Sequence, residues 1–400
     1  MAMRTLYDKT KQRVPIKCWA DDADEQTMRQ ALNVARLPVT VAHVALMADA
    51  HVGFGMPIGG VVAVREAIIP YAVGMDIGCG MSAWRTGLPA AKVRSCVDEI
   101  VKPIQRQIPT GFQHRTPREG RKLAEQHCPE IFDLLAGTKP KDAFLSGHSK
   151  IIEQIGTLGG GNHFIEIQVD TDDVVWLMLH SGSRNVGKLI CDHFYKLAKQ
   201  VCKRDGVDAP DPALSYLPID SREGRAYLEH MTFAQEFARL NRHVMMKLCQ
   251  RAVMQTPIGR GATDTHDIVN IHHNYAAEET HYGQRVWVHR KGATSARTGQ
   301  LGIIPGSMGT RSYIVRGLGN PESFSSCSHG AGRVMGRKEA KRRISMDRFK
   351  ESMKGVQFHP SPRHLDEAPD AYKDIDRVMA NQRDLVEVVT ELKPIAVVKG

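Results

Sequence analysis

Apolar positions along the chain follow two kinds of pattern, which predict two kinds of element. Runs of apolar and β-branched residues predict strands over 39–48, 61–69, the second half of 157–168, 174–180, the surroundings of 267–273 and 285–290, and the final PIAVVKG at 394–400. Apolar residues at helical spacing predict helices over 24–36, 120–135, 188–204, 221–254, 336–354 and 371–392. The elements show no regular βαβ alternation, so the pattern favours an α+β fold over a doubly wound sheet.

Glycine-rich stretches interrupt this pattern and are predicted to be loops. They read DAHVGFGMPIGG at 49–60, GMDIGCG at 74–80, TLGGGN at 157–162 and SGSRNVG at 181–187. Gly and Pro also punctuate residues 299–310. Clustered glycine is typical of backbone with positive φ or of close approach to a ligand. A structural turn is the simpler explanation for each loop taken separately. Because no linker divides these loops, we expect one domain over residues 1–400 with a site assembled from many loops.

The charge balance points to a polyanionic partner. The 400 residues include 54 Lys and Arg against 44 Asp and Glu, a formal net charge of +10, which favours nucleic acid or nucleotides. A basic surface that serves solubility alone is the alternative. The eight cysteines form no CxxC pair, which argues against a zinc ribbon or thioredoxin-type motif. Without an apolar signal core or a run of membrane-spanning length, we expect a cytoplasmic protein with reduced thiols and no membrane contact.

A set of dispersed residues has the chemistry of a metal site. Asp76 and Cys79 lie three apart in a glycine-containing turn, and a carboxylate and a thiolate are credible ligands for a divalent transition metal. His163 and His180 lie at strand–loop junctions beside small residues. His272 and His273 are adjacent, so in extended backbone their side chains face opposite ways and at most one should enter a site. Spacing alone does not decide whether these residues are metal ligands or ordinary core and surface residues; the two interpretations are equally open.

The stretch SCSHGAGR places His329 among small residues and ends at Arg333. Such clearance suits a reacting imidazole, whereas a tight turn is the alternative. The loops GGGN, SGSR and PGSMG offer backbone N–H groups to phosphate, and Arg184 and Arg333 could add bidentate contacts. None of these loops matches a Walker A pattern or a dinucleotide fingerprint.

Taken together, the motifs resemble those of the RtcB-type RNA-splicing ligases. The resemblance covers nearly the whole chain and rests, in order, on GMDIGCGM, GTLGGGNHFIEI, HSGSR, HHNY, KGATSARTGQ, IIPGSMGTRSYIVRGLGN, SCSHGAGR and AYKDID. It implies a GTP- and manganese-dependent RNA ligase that joins 2′,3′-cyclic phosphate or 3′-phosphate ends to 5′-hydroxyl ends. The implied fold is a single large α+β domain with a β-sandwich-like core flanked by helices.

The resemblance also implies roles for individual residues. His329 matches the guanylylated histidine, and Asp49 matches the acidic residue beside it. The implied ligands of one or two Mn²⁺ ions are a bridging Cys79, Asp76 and His163 on one ion, and His180 and His273 on the other. The implied GTP contacts are Asn162, His163, Phe164, Ile165, Glu166, His273, Asn274, Pro305, Gly306, Ser307, Met308, Ser312, His329, Gly330, Ala331, Gly332, Tyr372 and Lys399. Arg184, Arg333 and Arg337 are our candidates for RNA phosphates.

The implied roles are chemically coherent. A neutral imidazole can attack the α-phosphorus of GTP, and Asp49 is the candidate partner that fixes its tautomer. Glu166 can accept from guanine N1–H and N2–H, which would favour GTP over ATP. We expect Gly330 and Gly332 to leave room for a nucleotide on His329.

Two other functions compete with ligation. A metal-dependent RNA cyclic phosphodiesterase would need only ions and water, so His329 argues against it. An RNA-binding protein with a decayed site is disfavoured by the complete ligand set. Some positions depart from the family pattern: Ala48 and Ala50 flank Asp49 where Pro and Val are common, Gly336 replaces a common Ser, and 108–150 diverges. These departures leave open a splicing enzyme or a repair-directed paralogue, and an archease-type activator as partner.

Overall fold

The computed structural model of the chain describes residues 3–137, Leu145, 151–263 and 269–400. The strands, in chain order, are β1 (Arg4–Leu6), β2 (Ile16–Cys18), β3 (Thr40–Phe54), β4 (Met56–Val64), β5 (Ala67–Ile68), β6 (Gly80–Pro89), β7 (Phe164–Asp170), β8 (Val174–Ser181), β9 (Leu217–Pro218), β10 (Val269–His272), β11 (Asn274–His281), β12 (Gln284–Lys291), β13 (Ala293–Ser295), β14 (Leu301–Ile304), β15 (Ser312–Gly317), β16 (Ser326–Ser328) and β17 (Val386–Lys399). The helices are α1 (Glu25–Arg36), α2 (Pro70–Val73), α3 (Ala90–Arg94), α4 (Asp98–Gln107), α5 (Pro117–His127), α6 (Glu130–Gly137), α7 (Asn185–Arg204), α8 (Arg222–Met254), α9 (Arg337–Arg343), α10 (Met346–Ser352) and α11 (Ile375–Asn381).

Two large sheets organise these elements. One has the spatial order β10-β6-β8-β7-β17-β15-β14, and the other has the order β1-β2-β3-β4-β12-β11. In both sheets neighbouring strands are antiparallel except β2 and β3, which run parallel. The two sheets share a hydrophobic cluster in which Ile304 and Val315 pack with Ala45, Val61 and Val288.

Helices cover the remaining faces of the sheets. Helix α8 packs Phe237 and Leu240 against Leu177 and Ile165 of the first sheet, together with α4. Helices α9 and α10 cover its opposite face through residues such as Phe349. Helix α1, which is capped by the Asp24 carboxylate, covers the second sheet. The predicted α+β class, with a core of sheets flanked by helices, is confirmed. No described helix has both the length and the apolar character needed to cross a bilayer.

Most predicted elements are present, with several boundaries corrected. The predicted helices over 120–135 and 336–354 are each broken in two, in the first case at Pro129, which cannot continue a helix. Several elements were not predicted, among them α4, β6, β11, β14 and β15. The first two residues of the strand predicted at 267–273 lie outside the described residues, and β10 begins at Val269.

The prediction of a loop over 49–60 was wrong. Strand β3 continues to Phe54 and β4 begins at Met56, with Gly55 in the tight turn at φ 72°. The pairing of β3 with β4 is irregular between Leu46 and His51. Such irregularities redirect side chains, and Asp49 lies within this one.

The prediction of a helix over 371–392 was also wrong for most of its length, since only Ile375–Asn381 is α-helical. Helix α11 ends at Asn381, and the chain then enters β17 at Val386. Strand β17 pairs with both β7 and β15, so its conformation is fixed by two neighbouring strands. This tertiary pairing outweighs the local helical spacing of its residues.

Candidate active site

The register of the first sheet brings the candidate metal ligands to one edge. His180 on β8 lies opposite Met81 of β6 and Phe164 of β7. Cys79 immediately precedes β6, His163 immediately precedes β7, and His273 immediately follows β10. Because these strands are neighbours in the sheet, residues distant in sequence meet at their ends.

The turn before β6 presents Asp76 and Cys79 together. The backbone N–H of Cys79 donates to the carbonyl oxygen of Asp76 at 3.0 Å. Gly182 packs beneath the Asp76 carboxylate, and a Cβ there would lie 2.3 Å from either oxygen. The Asp76 carboxylate accepts from the backbone N–H of Ser183 at 3.2 Å. Glycine at position 182 is therefore required by the position of a candidate ligand.

The five candidate ligands form two groups that share one sulfur. Cys79, His180 and His273 form one group, and Asp76, Cys79 and His163 form the other, with the ligand atoms of each group within 4.8 Å of one another. Cys79 Sγ lies 3.2 Å from His180 Nε2 and 3.5 Å from His163 Nε2. His163 Nε2 lies 3.1 Å from Asp76 Oδ2, and His180 Nε2 lies 3.2 Å from His273 Nε2.

Backbone carbonyl groups orient two of these imidazoles. His163 Nδ1 lies 2.9 Å from the carbonyl oxygen of Leu158, and His180 Nδ1 lies 3.1 Å from that of Asn162. A carbonyl can only accept, so each Nδ1 carries the proton and each Nε2 presents its lone pair to the cluster. His272, as its sequence neighbourhood predicts, turns away from His273 and meets the carbonyl oxygen of Gly78 at 2.8 Å.

The protonation equilibria of the cluster fit a cation. Burial lowers the pKa of His180 and of His273 well below the ordinary range, so both imidazoles are neutral. Burial and the neighbouring Asp76 raise the pKa of the Cys79 thiol, which would lose its proton on metal binding. Thiolate, imidazole and carboxylate together suit a divalent transition metal. Two nitrogen lone pairs facing each other at the His180–His273 contact would repel unless a cation or a proton separates them.

Next to this cluster, His329 is held by a buried carboxylate. His329 Nδ1 lies 2.6 Å from Asp49 Oδ2, and the backbone N–H of His329 donates to the same oxygen at 3.2 Å. Asp49 is fully buried. Burial alone would raise the pKa of Asp49, but the charge and hydrogen bond of His329 outweigh it and the pKa lies below its ordinary value. The ring centroids of His329 and His273 are 4.9 Å apart, so the two sites are contiguous.

A pocket of about 200 Å³ opens at His329. It brings together most residues that the family resemblance nominates for the nucleotide: Asn162, Phe164, Glu166, His273, Pro305, Gly306, Ser307, Met308, Gly330, Ala331, Gly332, Tyr372 and Lys399. Four nominated residues do not line it: His163, which lines a separate cleft, and Ile165, Asn274 and Ser312. Ile165 packs in the hydrophobic core, Asn274 bonds the carbonyl oxygen of Asp76 at 3.2 Å, and Ser312 accepts from the N–H of Gly306 at 3.3 Å.

Comparison with known proteins decides the family. The family model described as tRNA-splicing ligase RtcB matches residues 30–400. The chain belongs to the RtcB family. RNA-splicing ligase RtcB1 of Escherichia coli is 42% identical, and RNA-splicing ligase RtcB of E. coli K12 is 41% identical, each over 98% of both chains. The tRNA-splicing ligase RtcB of Pyrobaculum aerophilum is 31% identical over 98% of this chain and 96% of its own length.

The pocket at His329 also contains a buried carboxylate, Glu367, that sequence reasoning missed. Glu367 accepts from Tyr372 Oη at 2.7 Å and from Lys399 Nζ at 3.1 Å, and it pairs with Arg333 at 3.3 Å and Arg337 at 3.4 Å. Burial opposes ionisation of Glu367, but these cations lower its pKa to about 2. The segment LDEAPD gives no local signal of this role, because the partners come from three other segments.

The three arginines nominated for RNA phosphates lie in two different cavities. Arg333 and Arg337 lie in the wall of the pocket at His329, where both are paired with carboxylates. Arg184 lies in a separate cleft on the side of Asp76 and His163. His51 also lines the pocket at His329 and was not nominated. In the sequence, only the nearby candidate Asp49 drew attention to the segment that contains His51.

The clearance around His329 has a more specific explanation than the sequence suggested. Gly332 has φ 74°, and a Cβ at this position would lie 2.2 Å from the carbonyl oxygen of Asp49. Gly332 therefore allows the SCSHGAGR segment to approach β3, which brings His329 to Asp49. Gly330 lies against Pro305 in the pocket wall, where a Cβ would be 3.2 Å from the Pro305 carbonyl oxygen.

Proposed function

We propose that this chain is a GTP- and manganese-dependent RNA ligase, acting as one catalytic domain over residues 1–400. It joins 2′,3′-cyclic phosphate or 3′-phosphate RNA ends to 5′-hydroxyl ends through a guanylylated His329. Membership of the RtcB family supports RNA ligation. The observation that carries the finer proposal is the 2.6 Å contact between His329 Nδ1 and Asp49 Oδ2, beside two ligand groups that share Cys79.

Asp49 prepares His329 as a nucleophile. Because the carboxylate accepts from Nδ1–H, the lone pair of His329 lies on Nε2. Nε2 attacks the α-phosphorus of GTP, an N–P bond forms, and the P–O bond to pyrophosphate breaks with pyrophosphate taking the electron pair. The positive charge that develops on the imidazole is stabilised by the buried Asp49 carboxylate.

Two candidate metal positions adjoin this reaction. Asp76, Cys79 and His163 would hold one Mn²⁺, and Cys79, His180 and His273 would hold a second. When bound, such ions neutralise phosphate charge and polarise the phosphorus.

The guanylate then passes to RNA and is released. An oxygen of the RNA 3′-phosphate attacks the phosphorus on His329, and the N–P electron pair returns to Nε2. The 5′-hydroxyl oxygen next attacks the RNA phosphate, loses its proton to solvent, and expels GMP. A 2′,3′-cyclic phosphate must first be opened by water. We propose RNA and GTP as the substrates on this basis.

The covalent step separates this proposal from a phosphodiesterase. Incubation with α-labelled GTP and Mn²⁺, followed by denaturation, should leave an acid-labile label on the wild-type protein and none on His329→Ala. His359→Ala, which changes an exposed histidine outside the pocket, is the matched control and should be labelled like wild type. Absence of label on the wild type, with hydrolysis of a cyclic phosphate retained, would replace ligation by the phosphodiesterase alternative.

A further inference from the structure

A buried glutamine, Gln168, lies next to Glu166 on strand β7. The two residues are separated by one position, so their side chains point to the same face of the sheet. Glu166 lines the pocket at His329, whereas Gln168 does not and is fully buried. A nucleotide in the pocket would therefore contact Glu166 but not Gln168.

The side-chain amide of Gln168 donates hydrogen bonds to two buried residues. Gln168 Nε2 donates to Glu166 Oε2, and it donates to Ser312 Oγ at 3.2 Å. Ser312 Oγ also accepts from the backbone N–H of Gly306, a residue of the pocket wall, at 3.3 Å. A series of hydrogen bonds therefore connects the Glu166 carboxylate to the wall segment at Gly306, and Gln168 is its central member.

The orientation of this amide leaves one buried atom unsatisfied. Gln168 Oε1 is buried and has no hydrogen-bond partner among the described residues. A buried acceptor without a donor is rare in folded proteins and calls for an explanation. The carboxylate of Glu166 provides one, because an ionised carboxylate can only accept and so requires the NH2 group of the amide to face it. The unsatisfied oxygen is therefore the consequence of a charge-assisted hydrogen bond to Glu166.

This hydrogen bond favours the form of Glu166 that guanine requires. Guanine presents two donors, N1–H and N2–H, and only the ionised carboxylate can accept from both. Burial raises the pKa of Glu166 to about 8, and the hydrogen bond from Gln168 opposes this rise more than the charge of Lys399 does. Without the amide, the Glu166 carboxyl group would be protonated more often and would lose the contact that fixes its orientation.

We propose that Gln168 is a positioning residue that sets the preference for guanine over adenine. Its amide holds the Glu166 carboxylate in the orientation that accepts from guanine N1–H and N2–H, and Ser312 anchors the amide from the other side. The inference rests on the proposed use of GTP, and it assigns base specificity in part to a residue that the nucleotide does not touch.

Gln168→Met tests this role, because it removes the amide at similar side-chain volume. Equilibrium binding is measured with Mn²⁺ in a His329→Ala parent, which cannot be guanylylated. The Kd for GTP should rise by about 10- to 100-fold, the equivalent of one hydrogen bond to a charged group. The Kd for ATP should stay near that of the parent, because adenine offers Glu166 no N1–H.

Two further variants separate this role from a general effect on the fold. Gln250→Met changes a buried glutamine of α8 that does not line the pocket, and it should leave both Kd values unchanged. Glu166→Gln removes the charged acceptor, so the addition of Gln168→Met to Glu166→Gln should weaken GTP binding no further.

Three outcomes would overturn the assignment. They are an unchanged Kd for GTP in Gln168→Met, an equal loss of GTP and ATP affinity, which would indicate a role in the fold alone, and losses that add in the double variant, which would make Gln168 independent of Glu166. Because binding is measured without RNA and without a covalent step, this result is separate from the ligase proposal. If Gln168→Met selectively loses GTP while the wild type forms no adduct, the specificity role stands and the ligase proposal fails.

Discussion

Arg242 donates from Nη1 to the carbonyl oxygen of Gly78 at 2.8 Å, from a fully buried position in α8. The same nitrogen donates to the carbonyl oxygen of Ser181 at 3.0 Å, and Nη2 lies 3.1 Å from His272 Nδ1. Gly78, Ser181 and His272 are the immediate sequence neighbours of three candidate metal ligands. One guanidinium therefore contacts three segments: the turn before β6, which carries Cys79, the end of β8, which carries His180, and the end of β10, which is followed by His273.

Replacement of Arg242 should weaken metal binding without touching a ligand. We expect Arg242→Met to reduce the affinity for Co²⁺ by about 10- to 100-fold, as for other residues that orient ligands. It should also lower the free energy of unfolding, since each buried acceptor that loses its donor costs about 1–3 kcal/mol. Titration with Co²⁺, followed by the absorption of the Co²⁺–thiolate bond at Cys79, measures the affinity.

Two further variants separate positioning from folding. Arg242→Lys keeps the charge but reaches fewer acceptors, so its Co²⁺ affinity should be intermediate. Arg239→Met removes a half-exposed arginine from the same helix, which pairs with Glu236, and should bind Co²⁺ normally. If Arg242→Met loses stability but keeps wild-type Co²⁺ affinity, the residue serves the fold alone.

Cys79 is common to both ligand groups, so its loss should affect more than one ion. We expect Cys79→Ala to retain less manganese after dialysis than variants lacking a ligand of one group, such as His163→Ala. Inductively coupled plasma mass spectrometry gives the metal content per chain. Cys191→Ala, at a buried free thiol in α7 outside both groups, is the control. Wild-type metal content in Cys79→Ala would reject the ligand role.

Sequence patterns and the family resemblance nominated the residues of the candidate site but not the contacts that position them. His163 and His180 stand out because each lies at a strand–loop junction beside small residues, and Asp76 stands out because it shares a glycine-containing turn with Cys79. Arg242 gives no such signal, because in an amphipathic helix a buried arginine and a solvated one look alike. Likewise, the helical spacing over 371–392 concealed β17, whose conformation depends on two strands from distant parts of the chain.

Asp49 should matter for the rate of guanylylation rather than for nucleotide binding. In Asp49→Asn the neutral amide cannot balance the imidazolium charge, and its NH2 group can donate to Nδ1 of His329 and so favour the wrong tautomer. We expect adduct formation to slow by about 10²- to 10⁴-fold, the usual scale for an acid–base partner. Rapid-quench measurement of label incorporation gives the rate, and equilibrium binding gives the GTP affinity.

Asp347→Asn, at an exposed carboxylate, is the control. An equal loss of GTP affinity would point to a binding role instead.

Glu166 should make guanine recognition depend on pH. Burial raises the pKa of Glu166 to about 8, although the hydrogen bond from Gln168 and the charge of Lys399 oppose the shift. Only the ionised carboxylate can accept from both guanine N–H groups. Below pH 8 the proton must leave before guanine binds, so the affinity for GTP should rise by up to about tenfold per pH unit and level off above pH 8. Isothermal titration calorimetry between pH 6.5 and 8.5 measures this dependence.

Glu166→Gln, whose amide does not titrate, should show a flatter profile and a smaller preference for GTP over ATP. The difference between the two profiles removes the contribution of the nucleotide's own phosphate ionisation, so coincident profiles would exclude Glu166 as the guanine acceptor.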